Sequence, residues 1–506
     1  MFKTKWVLPA TLSSALVLSI LPTTGIHAEA KTSVKEVAYE KDLATSSAYL
    51  YKQALVPTAF SNDTVMAFAR SNYGVNKNYY TTYYNEVVKS LKADGVEKIA
   101  AGSLSKTILT LNAIGKNPAK IAGFNLYDEV AKKLTDAKSS PLVSDYIYAI
   151  IALDSNTQSF SDETKYADAN VKSLVKKLIA TQFANGGYSW AQGSEQGISA
   201  DMTAMALIAL SNHSKDASVK KSIDRGLKYM SGQLTPEAGY APWGGNSADS
   251  QAQVILALLA NNINPKTKTA FIKKENWAIS NILLNYNKKL GAFTMKPGDA
   301  DANLFTTNSG VTGLVAYDRY VKKEDSFYDL HNASSKKLKI DATAPKSVKQ
   351  TKLTNTSKAI SGTTEPFATV KLYVSNKAVA TIETSADGKF THALKKSLKA
   401  NTSVKVYVTD LAGNKSKAIS YKVVDVLTPA TPKVTKVVTG AKKVTGTTTK
   451  GATVYAKIGS KTYKAVASSK TGKFSITVPA LKAKTSVKIS AKKGKYTSKS
   501  VTVKTK

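Results

Sequence analysis

The chain has 506 residues, of which 42% are hydrophobic, so it is long enough to bury the cores of three or four domains. It carries 72 Lys and Arg against 35 Asp and Glu, a formal net charge of +37, and this excess favours an anionic partner. It has no cysteine, which excludes disulfides, thiolate metal ligands, cysteine nucleophiles and internal thioesters.

The N-terminus has the pattern of a secretory signal peptide. Lys3 and Lys5 precede a mostly apolar stretch, and Ala28-Glu29-Ala30 fits the small-x-small cleavage pattern. No later stretch reaches the about 18 apolar residues that a membrane-spanning helix needs. The sequence therefore predicts a secreted protein without a membrane span, located at the cell wall surface.

Helical periodicity and breaker residues then predict about a dozen helices, arranged as six hairpins. In each of the last three pairs a long, charged helix precedes a smaller, alanine-rich one, which is typical of an outer and an inner helix. Six such pairs that close on themselves make an all-α (α/α)6 toroid. The helices are expected near 37–55, 62–72, 79–94, 102–114, 125–137, 142–154, 165–183, 200–212, 218–232, 248–262, 268–287 and 308–322.

A glycine-plus-aromatic turn leads into an inner helix three times. Gly187, Gly239 and Gly291 are each 52 residues apart. A fixed period of this size indicates one supersecondary unit that is repeated, with neighbouring copies sharing a core. The glycines allow the sharp reversal from the outer to the inner helix.

Three polar residues take the same place in these repeats, just before the inner helix. They are Asp201, Asp249 and Asn308. Asp and Asn at that place accept hydrogen bonds from the free N–H groups of a helix. The pattern therefore predicts that these three side chains cap the inner helices.

The first turn also resembles a known family pattern. Gln182-Phe-Ala-Asn-Gly186-Gly-Tyr188 resembles the glutamine–tryptophan repeat of squalene cyclases and prenyltransferases, and Asn287-x3-Gly291-x-Phe293 is similar to it in degenerate form. The resemblance covers about 300 residues and implies the α/α toroid. The same toroid occurs in cobalamin carriers, thioester domains and some polysaccharide lyases, so this fold does not decide the function.

The catalytic groups of these enzyme families do not match the chain. A cyclase needs an Asp-x-Asp-Asp cluster that keeps one carboxylic acid strongly acidic. The nearest match, Asp299-Ala-Asp301-Ala-Asn303, lacks the adjacent pair. The zinc site of a protein prenyltransferase needs a cysteine, which is absent. We therefore predict no catalytic residues, and an enzyme acting on a polysaccharide or an isoprenoid stays an alternative.

Asp299, Asp301 and Asn303 have a second interpretation, because they share the 1-3-5 spacing of a calcium loop. Leu304 stands where such a loop has glycine. The three residues are weak candidates for a loose Ca²⁺ site, and the sequence predicts no other cofactor.

Five aromatic residues in the repeat turns are the candidate ligand-binding residues, because ligands usually bind at concave mouths that carry aromatic rings. Trp190 and Trp243 lie farther into their loops and are the stronger candidates. Tyr188, Tyr240 and Phe293 follow the glycine directly, and we expect them to help form the core.

After about residue 326 the pattern changes to a period-two alternation of Val, Thr and Lys, which predicts strands. Ile360-Ser-Gly-Thr-Thr recurs as Val444-Thr-Gly-Thr-Thr, and Gly388-Lys-Phe recurs as Gly472-Lys-Phe, both with an offset of 84 residues. The region therefore holds two copies of one β-module. Short strands with frequent turns indicate a sandwich.

The first copy resembles the immunoglobulin-like modules of Gram-positive surface proteins through Asp341-Ala-Thr-Ala-Pro, Ala386-Asp-Gly-Lys-Phe and Thr409-Asp-Leu-Ala-Gly-Asn. The second copy has lost the acids, with Thr471 where the first has Asp387. The resemblance implies a spacer or an adhesive stalk. The predicted domains are a signal peptide at 1–30, a toroid at 31–335, module 1 at 341–425 and a basic module 2 at 426–506.

The charge is concentrated in the β-modules. Residues 31–340 hold 37 Lys and Arg against 28 acids, whereas 341–506 hold 33 against 6, and 426–506 have 19 lysines and no acid. This predicts an anionic cell-wall polymer or an acidic polysaccharide as partner, besides a glycan or small ligand at the toroid rim. Our first interpretation is a secreted surface binding or adhesion protein with a non-catalytic head. A toroid-family enzyme and a small-ligand carrier are the alternatives.

Overall fold

The computed structural model describes residues 34–136, 140–156, 161, 165–242, 244–333, 336–345 and 348–506. The predicted signal peptide and Trp243 lie outside these residues. The described residues belong to Val34–Lys506, which is one unit by its internal contacts.

The N-terminal part of the described chain is helical. Its α-helices are α1 Glu40–Gln53, α2 Asn62–Arg70, α3 Tyr79–Asp94, α4 Ala101–Ala113, α5 Leu126–Thr135, α6 Val143–Asp154, α7 Val171–Ala180, α8 Ala200–Leu210, α9 Ala217–Gly232, α10 Ala248–Ala260, α11 Ala278–Ile282 and α12 Leu304–Val321. Each lies within or close to a segment that the periodicity predicts.

The even-numbered helices form a closed inner ring. Each of α2, α4, α6, α8, α10 and α12 contacts the next, and α12 contacts α2. The odd-numbered helices pack outside this ring, for example α1 against α12 and α9 against α8. The inner α8 buries nine of its eleven residues, whereas the outer α9 buries five of sixteen. The predicted (α/α)6 toroid is therefore confirmed.

Three helices differ from the prediction at their starts. α7 begins at Val171 because the Asn170 side chain accepts from Ser173 N at 2.9 Å and caps it. α12 begins at Leu304 because Asn303 caps it. The segment predicted at 268–287 is helical mainly over α11, because the chain reverses just before the buried Trp277.

The repeat turns form where the sequence places them. β1 Tyr188–Ser189 pairs with β2 Ile198–Ser199, and β3 Tyr286–Asn287 pairs with β4 Ala292–Phe293. Gly291 has φ 70°, a left-handed conformation that favours glycine. These two hairpins directly precede α8 and α12, and they therefore lie at the N-terminal ends of these two inner helices.

The C-terminal part is all β. Its strands are β5 Lys349–Gln350, β6 Ala359–Thr363, β7 Thr369–Val374, β8 Lys377–Glu383, β9 Lys389–Ala393, β10 Ser403–Thr409, β11 Ile419–Lys422, β12 Lys433–Val434, β13 Lys443–Thr447, β14 Thr453–Ile458, β15 Lys461–Val466, β16 Lys473–Thr477, β17 Ser486–Lys493, β18 Tyr496–Thr497 and β19 Val501–Lys504.

These strands form two sandwiches of the same design. In module 1 a β5-β6-β9 sheet faces a β11-β10-β7-β8 sheet, and in module 2 a β12-β13-β16 sheet faces a sheet of order β15-β14-β17, with β18 and β19 both on β17. Each module has its own core. Core positions match at the 84-residue offset, with Ile360, Val370 and Phe390 in one and Val444, Val454 and Phe474 in the other. The two predicted Ig-like sandwiches are confirmed.

In the part of the chain that the structure describes, no helix combines the length and the apolar character that crossing a bilayer requires.

Candidate functional site

One cavity lies at the N-terminal ends of the inner helices and has a volume of about 710 Å³. All six inner helices contribute to its lining, so it exists only because the ring closes. Its polar and charged lining residues are Ser61, Asp63, Thr64, Lys106, Thr110, Asp201, Asp249, Gln253, Asn308, Ser309 and Thr312.

The two aspartates of the repeats lie in this cavity and not at the helix caps. Ser199 and Ser247 are the N-caps of α8 and α10, accepting from the backbone N–H groups three residues on, at 3.3 and 3.2 Å. Asp201 and Asp249 come two residues later, in the first helical turn. The predicted capping role of these aspartates is therefore wrong.

The predicted capping role of Asn308 in the third repeat is also wrong. Asn303 caps α12 by accepting from Thr306 N at 2.9 Å, and Asn308 lies inside the helix. Asn308 instead donates from Nδ2 to Thr64 Oγ1 on α2 at 2.6 Å. This bond joins the last inner helix to the first, next to the cavity.

Asp249 is the most perturbed carboxylate of the lining. Burial raises its pKa above the usual range, the nearby charge of Asp201 adds to the effect, and hydroxyl contacts from Ser309 and Thr306 oppose it. Thr306 Oγ1 donates to Oδ2 at 3.0 Å, whereas Oδ1 is buried and has no hydrogen-bond partner among the described residues. Asp249 can therefore accept a further hydrogen bond from a ligand or carry a proton.

The wall opposite α8 and α10 carries the basic side chain of the lining. Lys106 Nζ lies 3.1 Å from Asp63 Oδ2, and it also lies 4.8 Å from the ring centroid of Tyr148. The lysine is thus engaged by an acid and by an aromatic face. Asp201 and Asp249 have no basic side chain of the lining beside them.

Two phenylalanines stand exposed at the mouth. Phe60 is 84% and Phe305 71% exposed, although both are large apolar side chains. Phe305 takes the position two residues after the N-cap, where α8 has Asp201 and α10 has Asp249. This site is not among the sequence predictions, although the position two residues after each of these inner-helix caps was a signal that could have indicated it.

The predicted aromatic candidates differ in their exposure to solvent. Tyr188, Tyr240 and Phe293 are at most 2% exposed, so these three are core residues and not ligand contacts, because they close the repeat turns against the ring. Trp190 is 57% exposed and packs over Gly197, outside the lining of the cavity. Trp243 lies outside the described residues.

The residues suggested for calcium have local structural roles. Asp299 Oδ2 accepts from Lys296 N at 2.8 Å, and Asn303 caps α12. Within the described ranges, no group of three His, Cys, Asp or Glu side chains is placed to hold a metal ion. The loop around Asp301 therefore offers no assembled site, and the Ca²⁺ prediction gains no support from the structure.

A second cavity of about 510 Å³ lies at the opposite, C-terminal ends of the inner helices. His213 Nε2 there lies 2.7 Å from Asp154 Oδ2, and His331 Nδ1 lies 3.0 Å from Asp329 Oδ1. His213 follows α8 and Asp154 ends α6, so this pair ties two neighbouring inner helices. The His331 contact is local, between two residues of one loop.

Comparisons with known proteins agree with the β part of this architecture. Residues 344–425 match the family profile of the bacterial Ig domain, which is module 1. No curated protein matches the chain in sequence. The chain is also similar to the BSP domain of a biofilm-associated protein, at 16% identity over 32% of this chain and 29% of that one, with a TM-score of 0.16.

Two further solved structures are similar in their helical part. A type II terpene cyclase from Scytonema is 12% identical over 55% of this chain and 98% of its own, with a TM-score of 0.39. An unsaturated glucuronyl hydrolase from a Bacillus species, described as degrading glycosaminoglycan, is 9% identical over 57% of this chain and 97% of its own, also at 0.39. Likenesses at this level say nothing about activity.

Proposed function

We propose that the chain is a cell-surface glycan-binding protein, in which the N-terminal cavity of the toroid holds the sugar and the basic modules attach the chain to an anionic polymer. One observation carries the proposal: Asp201 and Asp249, which have no basic side chain of the lining beside them, meet exposed aromatic rings at a single cavity. Ionised carboxylates only accept hydrogen bonds, which suits sugar hydroxyl donors. Exposed aromatic rings suit the apolar faces of sugar rings.

The charge of the cavity narrows the class of sugar. Asp63, Asp201 and Asp249 face one lysine, Lys106, and that lysine is already engaged by Asp63. A uronic acid brought into this cavity meets like charge at Asp201 and Asp249, which disfavours it. We therefore expect a neutral or an amino sugar.

The attachment part of the proposal is supported by the C-terminal modules. The bacterial Ig domain at 344–425 is a module typical of extracellular proteins, and residues 426–506 carry 19 lysines and no acid. An anionic polymer at the cell surface is the partner that such a one-sided charge fits. Export itself rests on the signal pattern of the first 30 residues.

A panel of neutral, amino and acidic oligosaccharides, titrated into the full chain, tests the head. Phe305→Ala and Asp201→Asn are expected to weaken binding of the preferred sugar at least about tenfold, in the range of a lost ligand anchor. Trp190→Ala is the matched control, because it also removes an exposed aromatic ring but lies outside the cavity. Preference for a uronic acid, or loss of binding only in the Trp190 variant, contradicts the cavity as the site.

A second candidate function is hydrolysis of the bound sugar, and Asp249 is the observation that favours it. A carboxyl whose pKa is raised by burial, next to a second carboxylate on the neighbouring helix, is the pattern of a general acid paired with a base or nucleophile. Asp249 would give its proton to the glycosidic oxygen, and Asp201 would activate water or attack the anomeric carbon.

Product analysis on the sugar that binds separates the two candidates. Hydrolysis by the native chain that Asp249→Asn abolishes, while the affinity stays within about threefold, indicates an enzyme, because the loss then falls on the transition state and not on uniform binding. Binding without any product over prolonged incubation indicates a binding protein.

A further inference from the structure

The outer surface of one sheet of module 2 is a basic face. Side chains alternate along its strands, with Val454, Ala456, Val487, Ile489 and Ala491 fully buried in the core. The side chains between them point outward. Five lysines lie on this outward side and define the basic face: Lys457 on β14, Lys464 on β15, Lys488 and Lys492 on β17, and Lys504 on β19.

The register places some of these charges against each other. Lys457 is directly opposite Lys488 in the β14–β17 pair. Like charges directly opposite across strands destabilise a sheet. No acid in 426–506 offsets the pair, and none of these residues takes part in an ion pair of the described chain. The face therefore carries a repulsion that a bound anion would relieve.

Hydroxyl groups fill the positions between the lysines. Thr453, Thr462, Ser486, Ser490 and Thr502 lie on the same outward side. Neighbouring strands are about 4.8 Å apart, and side chains on one side of a strand recur about every 6.8 Å. The result is a grid of ammonium and hydroxyl donors with no acceptor carboxylate, which suits a chain of repeated phosphate groups.

We propose that this basic face binds a linear polyol-phosphate polymer of the cell-wall type, laid flat across strands β15, β14, β17 and β19. The inference rests on the attachment part of the proposed function and names its surface and its ligand chemistry. Phosphodiester groups spaced along a flexible chain meet successive lysines, and the hydroxyls donate to the remaining phosphate oxygens.

Two other anionic partners fit the face less well. Single-stranded nucleic acid is held by stacking on several aromatic rings, and Tyr455 is the one aromatic side chain on the outward side of these strands. A membrane surface is bound with apolar side chains that insert between lipids, and here Val466 is the one large apolar side chain that is mostly exposed. A grid of ammonium and hydroxyl groups suits a polymer that binds without stacking and without inserting apolar groups.

Module 1 provides an internal contrast. Its equivalent pair is Tyr373 opposite Lys405, and Tyr373 stacks edge-on with Tyr407 at 5.4 Å. An aromatic side chain thus stands where module 2 has Lys457. Glu383, at the edge of the same surface, pairs with Lys52 of the toroid. The polymer should therefore select module 2 within one chain.

The test compares two triple variants of the full chain by titration with poly(glycerol phosphate). Lys457→Gln, Lys488→Gln and Lys492→Gln change the basic face. Lys433→Gln, Lys443→Gln and Lys473→Gln remove the same charge from the outer surface of the other sheet and serve as the control.

The face variant is expected to bind at least tenfold more weakly, with a salt dependence reduced by about two counterions for three lost contacts, using about 0.7 per charge. The control variant should stay within about threefold. Equal losses in the two variants overturn the assignment of the face. Tighter binding of the native chain to single-stranded DNA or to anionic vesicles than to the polymer overturns the assignment of the ligand.

The same titration separates this inference from the proposed function. If the native chain binds no polyanion at all, the attachment part of the proposed function fails together with the inference. If Asp201→Asn loses its sugar but keeps the polymer, the two sites are independent, as the inference requires.

Discussion

The two Ig-like modules have one fold, but the same end of the sandwich is used differently in each. In module 1 this end packs on the toroid, where Phe367 and Ala386 form a buried cluster with Ala48 of α1. In module 2 the residues 84 positions on are Gly451 and Lys470, and Lys470 is exposed.

Phe367, at the centre of this contact, has an unusual backbone conformation. It has φ 56°, in the left-handed region, and its counterpart Gly451 has φ 71° at a position where glycine is unstrained. The Phe367 ring lies 5.9 Å from that of Tyr49, and Lys52 Nζ lies 5.4 Å from its centroid. Module 1 keeps an aromatic residue in a strained turn because the ring is buried against the toroid.

The acids that module 2 lacks are concentrated at this junction. Asp341, Glu365 and Asp410 line a cavity of about 430 Å³ between α1 and the loops of module 1. Asn414 Nδ2 donates to Asp341 O at 3.1 Å and to Asp410 Oδ2 at 3.0 Å. This end of the sandwich is therefore a docking surface in module 1, whereas the equivalent end of module 2 has the exposed Lys470.

Phe367→Gly gives the largest expected effect, because it turns the docking residue into its module 2 counterpart. Loss of a buried phenylalanine costs about 3–5 kcal/mol, and relief of the left-handed strain returns about 1 kcal/mol. We expect a net loss of about 3 kcal/mol in the free energy of unfolding of module 1. Urea denaturation of the full chain, with hydrogen exchange reporting on β7 and β10, measures it. An unchanged midpoint for these strands means that the junction does not stabilise module 1.

Gly451→Phe is the reverse substitution in module 2, and it tests whether the turn tolerates a phenylalanine ring without the toroid contact. Without a toroid to pack against, the phenylalanine brings only the left-handed strain, so module 2 should lose about 1–2 kcal/mol. The same denaturation, read at β14 and β17, gives the value. A stabilised module 2 shows that the ring stabilises its own turn, and the docking explanation for Phe367 then fails.

Glu365→Gln is expected to stabilise the junction slightly. Partial burial, and then the charges of Asp410 and Asp341, raise the pKa of Glu365 above the usual range of a glutamate. Since the folded pKa is the higher one, the stability that protonation supplies is present below the unfolded pKa and is lost as pH rises through the folded pKa. The carboxyl is only partly desolvated and the side chain reaches solvent, which screens the charges, so the variant should gain less than about 1 kcal/mol at neutral pH.

A pH series measures this gain as the difference between the unfolding free energies of the Glu365→Gln variant and the native chain. The difference should shrink towards zero as pH falls below the ordinary range of a glutamate. A difference that is constant with pH points to a changed contact and not to the charge.

Lys470→Ala has the smallest expected effect. The lysine is exposed and stands where module 1 has the buried Ala386, so its loss should change the stability of module 2 by no more than about 0.5 kcal/mol. Thermal unfolding of the full chain checks this. A larger loss reveals a contact of this module end that the comparison with module 1 omits.

Local patterns were sufficient to predict most of the fold. Helical periodicity predicted the inner and outer helices, and the 84-residue offset predicted the paired sandwiches, because both patterns report burial on one face of an element. The capping prediction for Asp201 and Asp249 was wrong because both Ser and Asp can cap helices, and here Ser199 and Ser247 occupy the N-cap positions.

The candidate site could not be predicted in the same way. Phe60, Phe305 and Asp249 come together only when α12 contacts α2 and closes the ring, and no local pattern reports that closure. The docking of module 1 is likewise a property of two surfaces. Module 1 has Phe367 at the position where module 2 has Gly451, and both residues adopt a left-handed conformation. This difference between the two copies could have indicated the docking.

Footprinting of lysines by amine-reactive labelling, with and without poly(glycerol phosphate), tests most directly the claim that the two modules have diverged in role. Mass spectrometry then reads each lysine of the intact chain separately. We expect the polymer to protect Lys457, Lys488 and Lys492, while Lys371 and Lys405 of module 1 are labelled as before. Equal protection of the lysines in both modules would contradict it.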